Sequence, residues 1–189
     1  MNVQEVIGRH YRTKKTICIT VSDGVIESIR DLPEQRADLP FIAPGLVDIQ
    51  INGCFGWDFS SDILEIEDWE AVIQRLLVHG VTEFCPTIVT GDLRWIGRIL
   101  QSIAKARQSS RLIARALIGV HLEGPYISPE DGPRGAHPRQ FVSFPDWEEF
   151  QRLQELAQGA IRIITLAPEL PHALEFIEKA VAEGVVVGI

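Results

Sequence analysis

Residues 116–125 read ALIGVHLEGP, an apolar run that ends in a histidine, a glutamate and a Gly-Pro pair. The run predicts a buried β-strand over 117–122, because it is short, rich in branched side chains and closed by a turn signal. An ionised Glu123 at the mouth of such a strand needs a cation or a strong hydrogen-bond donor. The carboxyl end of a barrel strand is where metal ligands and catalytic groups usually lie. Glu123 is therefore a candidate ligand; the alternative is a glutamate that caps the next turn or pairs with Arg134.

Short apolar strands alternate with amphipathic helices on both sides of this run. The predicted strands cover 46–51, 81–89, 117–122, 161–166 and 185–189. Strands that are apolar on both faces, with helices between them, predict a parallel sheet covered by helices. Two α/β architectures compete, an open doubly wound sheet and a (β/α)8 barrel. No GxGxxG or GxxxxGK[ST] motif follows the first strand, so the nucleotide-binding version of the open sheet has no support.

The first forty or so residues have a different pattern. Alternating apolar residues over 17–29, interrupted by Asp23-Gly24, predict a β-hairpin. We therefore expect a small β element over 1–43, followed over 44–189 by the first four βα units and the fifth strand of a partial (β/α)8 barrel. A complete barrel typically needs about 250 residues. The chain is thus expected to be the amino-terminal part of a longer polypeptide.

Composition excludes several classes of protein. The chain has 189 residues, 46% hydrophobic and 23% charged, which is typical of a globular protein. Its 18 basic and 26 acidic residues give a formal charge of -8, which argues against a nucleic-acid surface. No apolar run reaches the roughly 18 residues of a membrane span, and the first residues show no signal-peptide pattern. Three scattered cysteines indicate reduced thiols in a cytoplasmic protein rather than a cysteine zinc site.

A pair of amides ends the first predicted barrel strand. Gln50 and Asn52 are two residues apart, so their side chains leave the strand on one face. Many metal-dependent hydrolases carry an HxH metal pair with this geometry. Amides are poor ligands for a transition metal. The alternative is two polar residues that form hydrogen bonds at a strand end.

Two further residues near the predicted mouth carry less chemistry. His121 shares a face with Glu123 but lies deeper, which favours a hydrogen-bonded core histidine over a ligand. Cys54 has no paired base in the sequence pattern and is interpreted as a packing residue rather than a nucleophile.

A long loop follows Glu123 and runs from 124 to about 142. Such a loop is uncommon in a compact α/β repeat without a binding role, although an exposed connector is the alternative. Its glycines let backbone N–H groups approach a ligand closely. Arg134 and His137 are the residues of this loop that could meet an anion.

Several motifs together resemble the N-acetylglucosamine-6-phosphate deacetylase family of the amidohydrolase superfamily. They are PGLVDIQING (44–53), GVT (80–82) with PT (86–87), HLEGP (121–125), AHP (136–138) and TLAPE (165–169). The resemblance runs from about Pro44 to the last residue, in order. The early hairpin also fits, because family members carry a small β-sandwich built from both chain ends.

The resemblance implies roles for the candidate residues. Glu123 would be a metal ligand, joined by two histidines, and Ala136 and His137 would contact the amino-sugar phosphate substrate. Gln50 and Asn52 match members in which one of two metal sites is lost, which implies one divalent ion, zinc. A metal-activated water would attack the acetamide, with an aspartate from a later strand as general base. The products would be glucosamine 6-phosphate and acetate.

The chain departs from the family pattern at its end. The family's first metal-binding histidine follows the fifth strand, and the catalytic aspartate is expected beyond residue 189. A catalytic zinc typically needs three protein ligands, so we expect the chain alone to be inactive. Two alternatives stay open. One is another amidohydrolase that acts on a cyclic amide or amine. The other is a non-catalytic half-barrel that binds sugar phosphate or assembles with another subunit, for instance as a homo-dimer.

Overall fold

The computed structural model describes residues 2–61 and 63–189. The chain divides into two compact units, Met1–Gly45 and Leu46–Ile189. Among the described residues, no helix combines the length and the apolar character needed to cross a membrane.

The first unit is a four-stranded sheet. Its strands are β1 (Val3–His10), β2 (Thr16–Ser22), β3 (Val25–Asp31) and β4 (Phe41–Ile42), in the order β3-β2-β1-β4. Strands β2 and β3 form the predicted hairpin; Asp23 and Gly24 both have positive φ, as a tight two-residue turn requires. The described residues form one sheet here, so the β-sandwich remains a prediction.

The second unit contains a curled sheet of five parallel strands with helices between them. The larger elements are β5 (Leu46–Ile51), α1 (Ile66–Val78), β8 (Val81–Val89), α2 (Leu93–Ser109), α3 (Arg111–Ala116), β9 (Val120–Glu123), α4 (Trp147–Leu156), β10 (Ile161–Thr165), α5 (Ala173–Ala182) and β11 (Val186–Gly188). A small hairpin, β6 (Gly53–Cys54) and β7 (Trp57–Asp58), follows β5, and one 3-10 turn covers Arg139–Phe141.

Strand order separates the two architectures left open by the sequence. The sheet runs β5-β8-β9-β10-β11, and each strand pairs in parallel with the next one along the chain. A doubly wound sheet reverses its strand order at a switch point, whereas a barrel adds strands in sequence. The described sheet is therefore a half-barrel, consistent with a partial (β/α)8 fold.

Local signals in the sequence explain where the helices begin and which face they bury. Glu65 and Asp68 form a capping box at the start of α1, and Asp92 accepts backbone N–H bonds at the start of α2. Asp146 caps α4 in the same way, because its side chain accepts from the backbone N–H of Glu149. The apolar stripes pack onto the sheet and form one core.

One strand begins later than predicted. The expected strand over 117–122 starts only at Val120, because residues 111–116 form the short helix α3. Good helix formers occupy most of that segment, and Ile113 and Ala116, three residues apart, share a buried face. Leu117 keeps a single bridge to Phe84 of β8, so the apolar run enters the sheet in two steps.

Candidate active site at the strand ends

Five of the residues that the sequence singled out lie around one cavity. This cavity of about 220 Å³ opens at the carboxyl ends of β5, β8 and β9 and is lined by Gln50, Asn52, Val89, Glu123, Ala136, His137 and Pro138. A second cavity of about 500 Å³ shares its wall at Glu123, Ala136 and His137 and extends along the end of β10. The carboxyl ends of the strands and the long loop thus build a common site.

Glu123 ends β9 with its carboxylate turned toward the loop. Its side chain is 19% exposed, and Oε1 lies 3.7 Å from Nε2 of His137. Among residues 2–61 and 63–189, no lysine or arginine forms an ion pair with it. Glu123 is therefore a half-buried carboxylate whose nearest charged or titratable partner is an imidazole.

Arg134 does not pair with Glu123, the alternative that the sequence left open. Its Nη1 donates to the backbone oxygen of His137 at 2.7 Å, and its Nη2 pairs with Asp131. The Arg134 guanidinium therefore links two residues of its own loop, Asp131 and His137. Both terminal nitrogens have partners, whereas Nε is buried and has no hydrogen-bond partner among the described residues.

The His137 side chain also contacts the residue that follows β8. Its Nδ1 lies 2.9 Å from Oγ1 of Thr90, the residue that follows β8. The same hydroxyl donates to the backbone oxygen of Glu123 at 3.2 Å. Thr90 therefore links the two residues that face each other across the cavity.

His121 is a core histidine, as the favoured interpretation held. It is 4% exposed; Nδ1 lies 3.1 Å from the backbone oxygen of Ile49 and Nε2 lies 2.8 Å from Oγ1 of Thr165. Burial lowers the pKa of His121 below its usual value. With both ring nitrogens engaged, this histidine has no free lone pair for a metal.

The two amides, Gln50 and Asn52, and the thiol of Cys54 lie at or just after the end of β5. Gln50 and Asn52 are exposed and line the cavity from the end of β5. Burial raises the pKa of the Cys54 thiol, which disfavours the thiolate that a nucleophile needs. Cys54 packs against the core of its unit, in agreement with the sequence interpretation.

The sequence did not single out Thr90, and it indicated Thr165 only as the first residue of TLAPE, with no contact assigned to it. Each hydroxyl contacts a histidine of another element, and each threonine lies at or just beyond the end of a barrel strand. A polar residue that follows an apolar run was the available signal. The partners could not be found in this way, because they lie 47 and 44 positions away.

The described residues do not form a complete metal site. In the part of the chain that the structure describes, no group of three or more histidine, cysteine, aspartate or glutamate residues is placed to hold an ion. Glu123 and His137 are the closest approach to such a group, and a catalytic zinc typically needs three protein ligands. These side chains could supply part of the ligand set of a zinc site, but not all of it.

Comparisons with known proteins agree with the motifs. No family model matches the chain. A curated N-acetylglucosamine-6-phosphate deacetylase from Bos taurus is 41% identical over 151 residues, which cover 78% of this chain and 36% of that protein.

Solved structures show the same likeness in three dimensions. The deacetylase of that name from Thermotoga maritima has a TM-score of 0.78 at 26% identity, over 98% of this chain and 47% of that one. A Mycobacterium smegmatis deacetylase, solved in complex with N-acetyl-D-glucosamine-6-phosphate, has a TM-score of 0.77 at 26% identity, over 91% of this chain and 44% of that one. The chain thus spans less than half the length of these relatives. By sequence and by fold, the chain is similar to part of the N-acetylglucosamine-6-phosphate deacetylases.

Proposed function

We propose that this chain builds one wall of the active site of an enzyme that hydrolyses the acetamide of N-acetylglucosamine 6-phosphate to glucosamine 6-phosphate and acetate. One observation carries the proposal. The Glu123 carboxylate is half-buried at a strand end, has no guanidinium or ammonium partner among the described residues, and faces an imidazole across a cavity. Burial of an ionised carboxylate is costly without a partner. A site that keeps one in this position is suited to bind a cation.

Glu123 is proposed as one ligand of a single divalent ion, zinc by family resemblance. The remaining donors would come from outside the residues described, since these supply no third ligand. When bound, such an ion would supply Lewis-acid chemistry at the amide. The Glu123 carboxylate extends from a backbone position that is held in place, because its backbone oxygen accepts a hydrogen bond from Thr90.

His137 and Ala136 are proposed to contact the sugar. The His137 ring is fixed by Thr90 and its backbone by Arg134, so Nε2 is presented to the cavity at a defined place. The small side chain of Ala136 leaves both cavities open beside it. Gln50 and Asn52 stand where a second metal pair would be, and we assign them hydrogen bonds to polar groups of the substrate instead.

Proton transfer is proposed to come from another part of the enzyme. Glu123 is the one carboxylate among the described residues that line the smaller cavity, and its oxygens are assigned to the ion. We therefore expect no deacetylase activity from the 189 residues by themselves.

The test compares Glu123→Gln with Glu148→Gln in the full polypeptide that carries these residues. The control removes one negative charge from a side chain of α4 that is 86% exposed. We expect Glu123→Gln to lose tight zinc binding and acetate release while it keeps its fold by circular dichroism, and the control to retain both. Unchanged metal stoichiometry in Glu123→Gln would remove this residue from its proposed role. Absence of acetate release by the wild type would refute the proposed reaction.

His137→Ala separates substrate contact from metal ligation. We expect a higher KM or a lower turnover with unchanged metal content, because a contact to the sugar is lost and the ligand set is not. Metal analysis and steady-state kinetics on the same preparation measure both quantities. Loss of the metal in this variant would instead make His137 a ligand.

A second candidate function is favoured by the open edges of the half-barrel. Apolar side chains on the edge strand β5 are exposed, among them Leu46 at 61% and Ile49 at 58%. Such unpaired edges favour pairing with another chain. A half-barrel that assembles as a homo-dimer and binds sugar phosphate would cover them. Native mass spectrometry of the 189-residue chain tests this: a stable dimer supports it, and an aggregating or monomeric chain argues against it.

A further inference from the structure

A third cavity lies at the opposite end of the half-barrel sheet from Glu123. It has a volume of about 210 Å³ and lies between α2, α3 and the end of α4, near the amino ends of β9 and β10. It shares no lining residue with the two cavities at the strand ends. Its described lining consists of three alanines, two glutamines and one arginine, namely Ala104, Ala114, Ala157, Gln108, Gln158 and Arg107.

The Arg107 guanidinium lacks a partner for a buried donor. Its Nε is buried and has no hydrogen-bond partner in the described part of the chain, and no carboxylate there forms an ion pair with this arginine. Arg107 lies in the last turn of α2, where the partial negative charge of the helix end favours a cation. That attraction provides no acceptor for the buried N–H, and an unpaired buried donor costs free energy.

A second arginine adds positive charge beside the cavity. The Arg162 side chain packs against Gly119, where a Cβ would overlap its Cγ, so its aliphatic part is held at the start of β10. No ion pair joins Arg162 to a carboxylate among residues 2–61 and 63–189. Burial lowers the pKa of Arg107, and the charge of Arg162 lowers it further. A bound anion would relieve the repulsion between the two guanidinium groups.

The two glutamines supply a further donor to the cavity. Oε1 of Gln158 accepts a hydrogen bond from Nε2 of Gln108, so the NH2 group of Gln158 remains a donor. Guanidinium and amide N–H groups match the oxygens of an oxyanion, and arginine in particular binds phosphate through paired N–H···O bonds. The volume is below the roughly 300 Å³ at which sites for drug-sized ligands begin, which favours a small ligand.

We propose that Arg107 and Arg162 form an anion site at the amino ends of β9 and β10, and that this site binds a phosphate group. Two positive charges favour a doubly charged phosphate over a singly charged carboxylate. The site is separate from the proposed active site, so the proposal goes beyond the proposed function and does not depend on it.

The test follows the Nε–H signal of Arg107 by nitrogen NMR of the arginine-labelled full polypeptide. Inorganic phosphate is titrated at constant ionic strength, at a pH where it is doubly charged. The signal is assigned by its loss in Arg107→Lys. Arg162→Gln removes the second charge, and Arg94→Gln is the matched control, because Arg94 is an exposed arginine of α2.

We expect phosphate to shift the Arg107 signal saturably in wild type and Arg94→Gln. Arg162→Gln should raise the dissociation constant about tenfold, as for one lost interaction with a charged group. A parallel titration with glycerol 3-phosphate distinguishes a phosphate ester from the free ion as the preferred ligand, according to which of them binds more tightly.

A signal that does not move, or that moves equally with acetate, would overturn the proposal. An unchanged dissociation constant in Arg162→Gln would do the same. If Arg162→Gln fails to fold, the phosphate and acetate titrations of the wild type decide. A saturable phosphate shift in a polypeptide that releases no acetate would refute the proposed function alone.

Discussion

Strands at the centre and at the edge of the half-barrel sheet both carry branched apolar side chains, but these differ in burial. On β9, Val120 and Leu122 are fully buried, at 0% exposed. On β5, Leu46 and Ile49 are 61% and 58% exposed. Both strands are apolar; they differ because β9 lies between β8 and β10, whereas β5 pairs with β8 alone. Apolar character therefore shows that a strand is suited to burial, and the neighbours determine whether burial occurs.

The proposed site is divided in the same way. Glu123, at the end of β9, is fastened through Thr90. Gln50 and Asn52, at the end of β5, are exposed. Buried contacts among the described residues therefore hold Glu123, whereas Gln50 and Asn52 lie at the end of an edge strand.

The largest expected effect compares leucine-to-alanine substitutions on the two strands. Leu122→Ala should lower the free energy of unfolding by about 3 kcal/mol, because it leaves a cavity in a packed core. Leu46→Ala removes a side chain that is mostly exposed and should cost less than about 1 kcal/mol. Urea denaturation of the 189-residue chain measures both. Equal costs would show that β5 is covered in solution, and a Leu46→Ala cost that grows with protein concentration would identify a second copy as the cover.

The sequence predicts the strands well where an apolar run has clear boundaries. The expected strands 46–51 and 81–89 agree with β5 and β8 residue for residue. The start of β9 was wrong because α3 takes up the residues before it. The β6–β7 hairpin was not predicted, because two-residue strands are too short to give a periodic signal.

The site was predicted as a set of residues but not as a network. Polar residues at strand ends lead to Gln50, Asn52 and Glu123, because parallel strands bring their carboxyl ends to one edge. The sequence does not reveal that Arg134 binds its own loop or that Thr90 links Glu123 to His137. Those contacts depend on where the loop folds back, which no local pattern encodes.

The next effect in size concerns the backbone that joins β9 to the site. Gly124 and Gly132 both have positive φ, +87° and +100°. A Cβ on Gly124 would lie 2.0 Å from Oγ1 of Thr90, whereas nothing lies within 4 Å of a Cβ on Gly132. Both alanine variants share the backbone strain, and only Gly124→Ala adds a clash.

We expect Gly124→Ala to lose about 2–4 kcal/mol of stability and Gly132→Ala about 1 kcal/mol. Chemical denaturation gives the difference. Similar losses in the two variants would mean that Thr90 moves aside easily and does not hold the site rigidly.

The smallest expected effect contrasts a buried with an exposed carboxylate on α4. Burial raises the pKa of Glu149, and the hydrogen bond from the hydroxyl of Tyr126, 3.2 Å from Oε1, opposes that rise. In the pH range between the ordinary glutamate pKa of about 4.3 and the raised value, the folded state binds more protons than the unfolded state. The contribution of Glu149 to stability is therefore present below the ordinary pKa and is lost as the pH rises through the raised one.

Glu149→Gln removes this titration and keeps a group that can accept from Tyr126. Relative to wild type, we expect this variant to gain stability as the pH rises from the ordinary glutamate pKa of about 4.3 through the raised one, by no more than about 1 kcal/mol, the scale of one hydrogen bond. Urea midpoints across this range measure the difference, and Glu148→Gln corrects for the loss of one exposed charge. Parallel curves for wild type and Glu149→Gln would mean that the carboxylate is as well solvated in the fold as in the unfolded chain. The contact between Tyr126 and α4 would then not bury the Glu149 carboxylate.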